Sequence, residues 1–293
     1  MPQSGIEDDT THYLDWATRG RISVWRYLVV IFGGYVVGMY GGIVLVLLAP
    51  TLFADPVSRA VALQWMPVPG LLTVLLLARL LLCRPTWSLL SPAWPLHFKH
   101  FLIGAGIGLS LPLVGLIANL DAARENFVGF DGYRKLGPVL LMALVSGFIV
   151  QVAFEEILYR GAVMQFAWRI KAWVPFALIF QALLFALPHF GNVKSWGGAG
   201  ISSIAPYFVM ALGLGWICWR TGSLLVSTGL HFANNISIVL IAGSKDDIVA
   251  SFAPILMPRS DLGETSLSIL VQVALWIGGV ELWLWLGRRR HQA

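Results

Sequence analysis

Charge is scarce in this chain: acidic and basic residues together make up 12% of its 293 residues, against 57% apolar ones, and the mean hydropathy is +0.76. Soluble domains of ordinary composition carry about twice that charged share, so a water-soluble globule is excluded as the starting expectation. Cysteine is rarer still. The two present, Cys83 and Cys218, sit at the ends of apolar stretches in no paired or metal-type spacing, which excludes a disulfide framework; both read as packing residues. Internal repeats and low-complexity segments are missing, and no loop is long enough to hold a soluble domain of the usual size. Neither the His-Glu-x-x-His zinc motif nor a Gly-x-Gly-Asp aspartyl motif occurs. The N-terminal segment 1–23 is polar and lacks the basic start, short apolar stretch and small-residue cleavage site of a secretory signal, so no cleavage is expected there.

What is abundant is apolar sequence in long runs. Crossing ~30 Å of hydrocarbon takes roughly 20 residues at 1.5 Å rise, and about eight candidate spans fit: 24–49, 69–83, 101–120, 136–168, 174–190, 204–219, 224–242 and 267–286. The expected fold is an all-α integral membrane protein whose transmembrane helices enclose a polar intramembrane cavity. It forms a single membrane domain over 24–288 with a basic tail at 289–293. Threading the spans back and forth puts thirteen Lys and Arg on one side, among them Arg19, Arg84, Arg220 and Arg288 to Arg290, and seven on the other. Cytoplasmic loops are enriched in these residues, so both termini are expected in the cytoplasm. Short loops point to a bacterial plasma membrane, with the endoplasmic reticulum as the location in a eukaryote. The pI near 9.4 does not indicate nucleic acid, because the basic residues are dispersed along span ends rather than gathered on one face. Trp16, Trp25, Trp87, Trp94 and Trp219 read as interfacial anchors.

An ionisable group inside hydrocarbon costs at least ~2.5–3.5 kcal/mol on insertion scales and is a functional candidate by default. In the fourth span, Glu156 and Arg160 are four residues apart and share a helix face, where they can pair. Glu155 points about 100° away. One carboxylate would then be neutralised, and the other would face a cavity as a general base; the plainer reading is an ion pair at a helix end with Glu155 solvated. His189 follows Phe185 by four residues and Pro188 directly, and a proline there disrupts the helix and can turn the imidazole inward; a lone His at a helix end is otherwise structural. His231 and Asn235 again lie four apart, with Asn234 pointing elsewhere. They suit either oxyanion stabilisation or an interhelical polar clamp. Counting from cytoplasmic span ends places Glu155, His189 and His231 at depths of roughly 18, 22 and 12 Å, near mid-membrane and within reach of one pocket. Glu281 in the last span stays outside this set. A Gly-x-Ser at Gly200 to Ser202 falls in or beside a loop, which leaves a serine mechanism little support.

Taken in order, Glu155-Glu156-x-x-x-Arg160, Phe185-x-x-x-His189 and His231-x-x-x-Asn235 resemble the three motifs of the CPBP intramembrane peptidases, which include type II CAAX prenyl endopeptidases and bacteriocin-processing or immunity proteins of the Abi type. The resemblance covers about 139–239, a third of the chain. It implies an endopeptidase in which Glu155, assisted by His189, activates a water to attack a peptide carbonyl. His231 and Asn235 would stabilise the oxyanion, with Glu156 and Arg160 in support. Glu155, His189 and His231 also make a His₂Glu set of the kind that holds catalytic zinc with an open position. The missing His-Glu-x-x-His spacing favours a metal-free glutamate mechanism with no cofactor. The expected partners are membrane lipid and a peptide or lipidated-protein substrate: a prenylated Cys-a-a-X protein in a eukaryote, a leader or other membrane-associated peptide in a bacterium. Two other classes compete. A non-catalytic scaffold or immunity protein would keep the motifs without chemistry. A transporter fits less well, since no inverted repeat or pair of broken helices is visible.

Overall fold

Backbone amides and carbonyls have no water to bond with in hydrocarbon, so an apolar chain satisfies them within helices. The computed structural model, which describes residues 12–48, 50–118, 120–189, 204–244, 252–257 and 266–290, follows that rule. Helix α1 spans Val24–Leu48, α2 Pro56–Trp65, α3 Val68–Leu81, α4 Phe98–Ala118, α5 Leu120–Glu125 and α6 Asp131–Glu155. A π-helical segment, Glu156–Val163, continues α6 into α7 (Met164–Ile170), and α8 (Val174–Ala186), α9 (Ala205–Thr221), α10 (Leu225–Leu240) and α11 (Ser266–Arg290) follow. Strands β1 (Ala242–Ser244) and β2 (Ile255–Met257) form a short parallel pair beyond α10.

Every expected span coincides with a helix, yet the count of eight crossings goes beyond what length and hydropathy establish. Among the described residues four helical stretches are long and apolar enough to cross a membrane alone: Val24–Leu48, Pro56–Leu81, Asp131–Ile170 and Ile269–Arg289. Val174–His189 and Leu225–Leu240 are apolar but shorter. The fourth span also begins earlier than its hydropathy suggests. Gly137, at φ 64°, breaks α6 just before Pro138, and a polar turn from Asp131 precedes the break.

Burial departs from composition at both ends. Tyr13, Leu14, Trp16 and Ala17 are buried although the N-terminal segment is polar overall. Their 3₁₀ turn (Tyr13–Thr18) docks through a Tyr13 amide donating to the Gly222 carbonyl at 3.2 Å and a Gln165 side chain donating to the Tyr13 carbonyl at 3.1 Å. Trp16 packs edge-on against Trp87 and is not an exposed anchor, whereas Trp25 and Trp94 are exposed as anchors should be. Cys218 is buried and Cys83 exposed. Glu281 pairs with Arg220 at 2.7 Å, which ties α11 to the end of α9 and accounts for a charge the motifs leave out.

Among the described residues α4 and α10 are the helix pair that packs most extensively. Gly104 and Gly108 on α4 form a Gly-x-x-x-Gly face of the type that lets membrane helices come near. A Cβ on Gly229 would overlap the Phe101 carbonyl oxygen and lie 2.7 Å from the Ala105 amide nitrogen. Those are backbone atoms, which cannot swing aside. Gly229→Ala should therefore destabilise the protein by about 1–3 kcal/mol, read as a lower unfolding midpoint in detergent; a midpoint within error of wild type would show that α4 and α10 are more loosely packed than described.

Candidate active site

The π-helical segment sets the site. A π turn widens the helix and is frequent at functional positions, and here each residue from Glu156 through Ala167 is buried. Glu156, with its side chain fully enclosed, meets three partners. Its Oε1 lies 3.0 Å from an Arg160 guanidinium nitrogen and 2.8 Å from His231 Nδ1, and its Oε2 accepts from the Ser227 hydroxyl at 2.7 Å. Arg160 is equally enclosed and lies 4.3 Å over the Phe185 ring. A buried charge needs a partner and hydrogen bonds to offset lost hydration, and this carboxylate has both.

Glu155, one residue earlier, is the more open carboxylate, with 16% of its side chain exposed against none for Glu156. Its Oε1 accepts from Gln151 Nε2 at 3.1 Å. Its Oε2 stands 3.5 Å from His231 Nε2, closer than nonpolar neighbours would sit but beyond a direct hydrogen bond. The imidazole of His231 thus lies between two carboxylates, firmly bonded to one and loosely set against the other. An ionised Glu156 can only accept, so Nδ1 carries a proton toward it, and Nε2 faces the Glu155 side.

Phe185 gathers the remaining groups. Its ring stacks on His189 with centroids 4.8 Å apart, meets His231 edge-on at 6.1 Å and meets Tyr159 edge-on at 5.2 Å. Its carbonyl accepts from His189 Nδ1 at 2.8 Å, which leaves Nε2 of the neutral ring as the lone pair. Tyr207 of α9 also stacks on His189, with centroids 4.1 Å apart. On α10, Asn235 bonds with its neighbour: its Oδ1 accepts from Asn234 Nδ2 at 3.2 Å.

Glu155, Glu156, Arg160 and His231 therefore form one contact network, and His189 joins it through the Phe185 ring. Asn235 lies one turn beyond His231. The serine candidate at Gly200 to Ser202 lies outside the described residues. Among the described residues no group of three or more His, Cys, Asp and Glu is disposed to hold a metal ion. With His231 Nδ1 bonded to Glu156 and His189 Nδ1 to a carbonyl, Nε2 is the ring nitrogen that each of these histidines has left for another partner. Ser227, Gln151, Asn234 and Tyr207 are site residues the motif reading passed over. For the first two a signal existed: Ser227-x-x-x-His231 and Gln151-x-x-x-Glu155 extend the same four-residue spacing by one turn.

Long apolar helices with a charged network buried among them are the features of an α-helical integral membrane protein. Residues 137–237 match the family model described as Type II CAAX prenyl endopeptidase Rce1-like, which coincides with the stretch carrying the three motifs. That match shows the resemblance to CPBP peptidases over a third of the chain. The chain is also 22% identical over 290 residues to the Uncharacterized protein YyaK of Bacillus subtilis, covering 90% of this chain and 93% of that one. No solved structure matches.

Proposed function

We propose that the protein is an intramembrane endopeptidase that hydrolyses a peptide bond of a membrane-associated substrate by a glutamate mechanism. The observation that carries this reading is His231 held between two carboxylates of unequal surroundings, Glu156 enclosed and ion-paired, Glu155 part open. Pairs of titratable groups whose environments differ in this way divide acid, base and structural roles between them. Glu155 is the general base: it takes a proton from a water that attacks the scissile carbonyl, with the His189 Nε2 lone pair accepting from the same water, and returns that proton to the amide nitrogen as the C–N bond breaks and the amine leaves. His231 and the Asn235 amide stabilise the oxyanion as it forms. Glu156 holds His231 in place, and Arg160 holds Glu156.

Sidedness follows the same lines. Trp219 and Gly222 at the end of α9 bond to His12 and Tyr13, and the Arg220–Glu281 pair ties that end to α11. This supports both termini on the face where Lys and Arg are concentrated, as an even number of crossings in a plasma membrane requires.

Cleavage of a fluorogenic farnesylated Cys-a-a-X peptide and of an unlipidated leader-type peptide, by protein purified in detergent, tests the activity and the substrate class together. Wild type should cleave one of them and His231→Ala neither, with no change on adding a zinc chelator. Inhibition by chelator with recovery on added zinc would replace the glutamate mechanism with a metal one. Equal silence of wild type and variant on these peptides and on a broad membrane-peptide panel would favour a non-catalytic scaffold.

A further inference from the structure

Helix α11 lies wholly outside the matched segment and carries no family motif, yet one of its side chains reaches the site. Gln272 donates from Nε2 to Asn234 Oδ1 at 2.8 Å, and Asn234 donates from Nδ2 to Asn235 Oδ1 at 3.2 Å. We infer that Gln272 and Asn234 are positioning residues that fix the sense of the Asn235 amide so that its NH₂ group is presented to the oxyanion.

The argument is directional. A primary amide has a donor end and an acceptor end of nearly the same shape, so nothing in packing alone distinguishes its two orientations. Here each link chooses for the next. With Gln272 donating, Asn234 turns its oxygen toward α11; its nitrogen then faces Asn235 and the Met210 sulfur, which can only accept and so sets the sense of the chain, and Asn235 turns its own oxygen to receive it. What remains is the Asn235 Nδ2, with its hydrogens directed away from Asn234. Reversing Asn235 would set two NH₂ groups against each other within 3.2 Å, losing a hydrogen bond and leaving a donor without an acceptor. Such chains also polarise one another, which makes the terminal donor stronger than an isolated amide. Met210 Sδ lies 4.0 Å from Asn234 Nδ2, a weak second acceptor that supports the same sense.

This rests on the endopeptidase reading, and the test separates the two. The decisive variant is Gln272→Glu, which keeps the size and shape of the side chain but replaces the donor with an acceptor. An ionised Glu at 272 repels Asn234 Oδ1 and attracts Nδ2, so Asn234 turns over, and Asn235 turns after it. Steady-state cleavage should show kcat lowered roughly tenfold or more with KM unchanged, since an oxyanion donor acts only in the transition state. Gln272→Leu, which leaves Asn234 free to adopt either sense, should lose about two- to tenfold, and Gln272→Asn should not rescue it because the shorter side chain cannot span the gap. In an Asn235→Ala background neither change should lower kcat further, a non-additivity that a merely structural contact would not produce. Unfolding midpoints of all variants are measured alongside. Wild-type kcat in Gln272→Glu, or a loss that adds fully to that of Asn235→Ala, overturns the relay while leaving the peptidase intact. A silent wild type overturns both.

Discussion

Glu156→Ala is expected to lower stability by about 3–5 kcal/mol, because it strands the Arg160 guanidinium, with a side chain of no exposure, without its carboxylate. A buried pair stabilises little against hydrophobic residues of equal volume, but removing one partner leaves an uncompensated charge, and the asymmetry supplies the check. Replacing both, as Glu156→Leu with Arg160→Met, should recover most of the loss. A remainder of about 1–3 kcal/mol is expected, since Ser227 and His231 still lose their acceptor. Unfolding in detergent followed by tryptophan fluorescence measures wild type, Glu156→Ala, the single variants Glu156→Leu and Arg160→Met, and the double variant. Losses that simply add would mean that Glu156 and Arg160 are not the coupled pair described. No Glu156 variant should cleave peptide, because His231 has lost the group that orients it.

The second large effect separates activity from stability. Glu155→Gln keeps the shape of the side chain, and Gln151 Nε2 still finds an oxygen to donate to, so stability should stay within about 1 kcal/mol. The base is gone, however, and cleavage should fall by roughly 10²- to 10⁴-fold. Adjacent glutamates with opposite outcomes, one dominating stability and one dominating rate, are what the unequal enclosure of the two side chains requires. A Glu155→Gln protein that retained wild-type rate would move the base elsewhere.

Much of this arrangement is legible in the sequence, for a definable reason. Helical residues four apart share a face, so Glu156 with Arg160, Phe185 with His189, and His231 with Asn235 can be paired without knowing the fold, and Ser227 and Gln151 lie on the same spacing. Contacts between helices are less accessible. Nothing local tells that the partner of His231 is Glu156 rather than Glu155, since that depends on how α10 rotates against the π-helical turn. The turn itself has no residue signature, because its backbone pattern reflects packing around fully buried residues. Gln272 is a polar residue in an unremarked apolar helix until α11 is set against α10. Helix α2 escaped a hydropathy reading because Ser58, Arg59 and Gln64 interrupt its apolar residues, and the buried 3₁₀ turn at Tyr13–Thr18 lies in a segment that is polar on average.

The most direct measurement is mass-spectrometric detection of peptide products from a panel of membrane-associated peptides, incubated with wild type and with Glu155→Gln under identical detergent conditions. Defined cleavage products from wild type, absent or at least a hundredfold slower with Glu155→Gln while both proteins unfold at similar midpoints, are the expected result. Products formed equally by both would contradict the role given to Glu155, and products from neither would contradict the hydrolase itself.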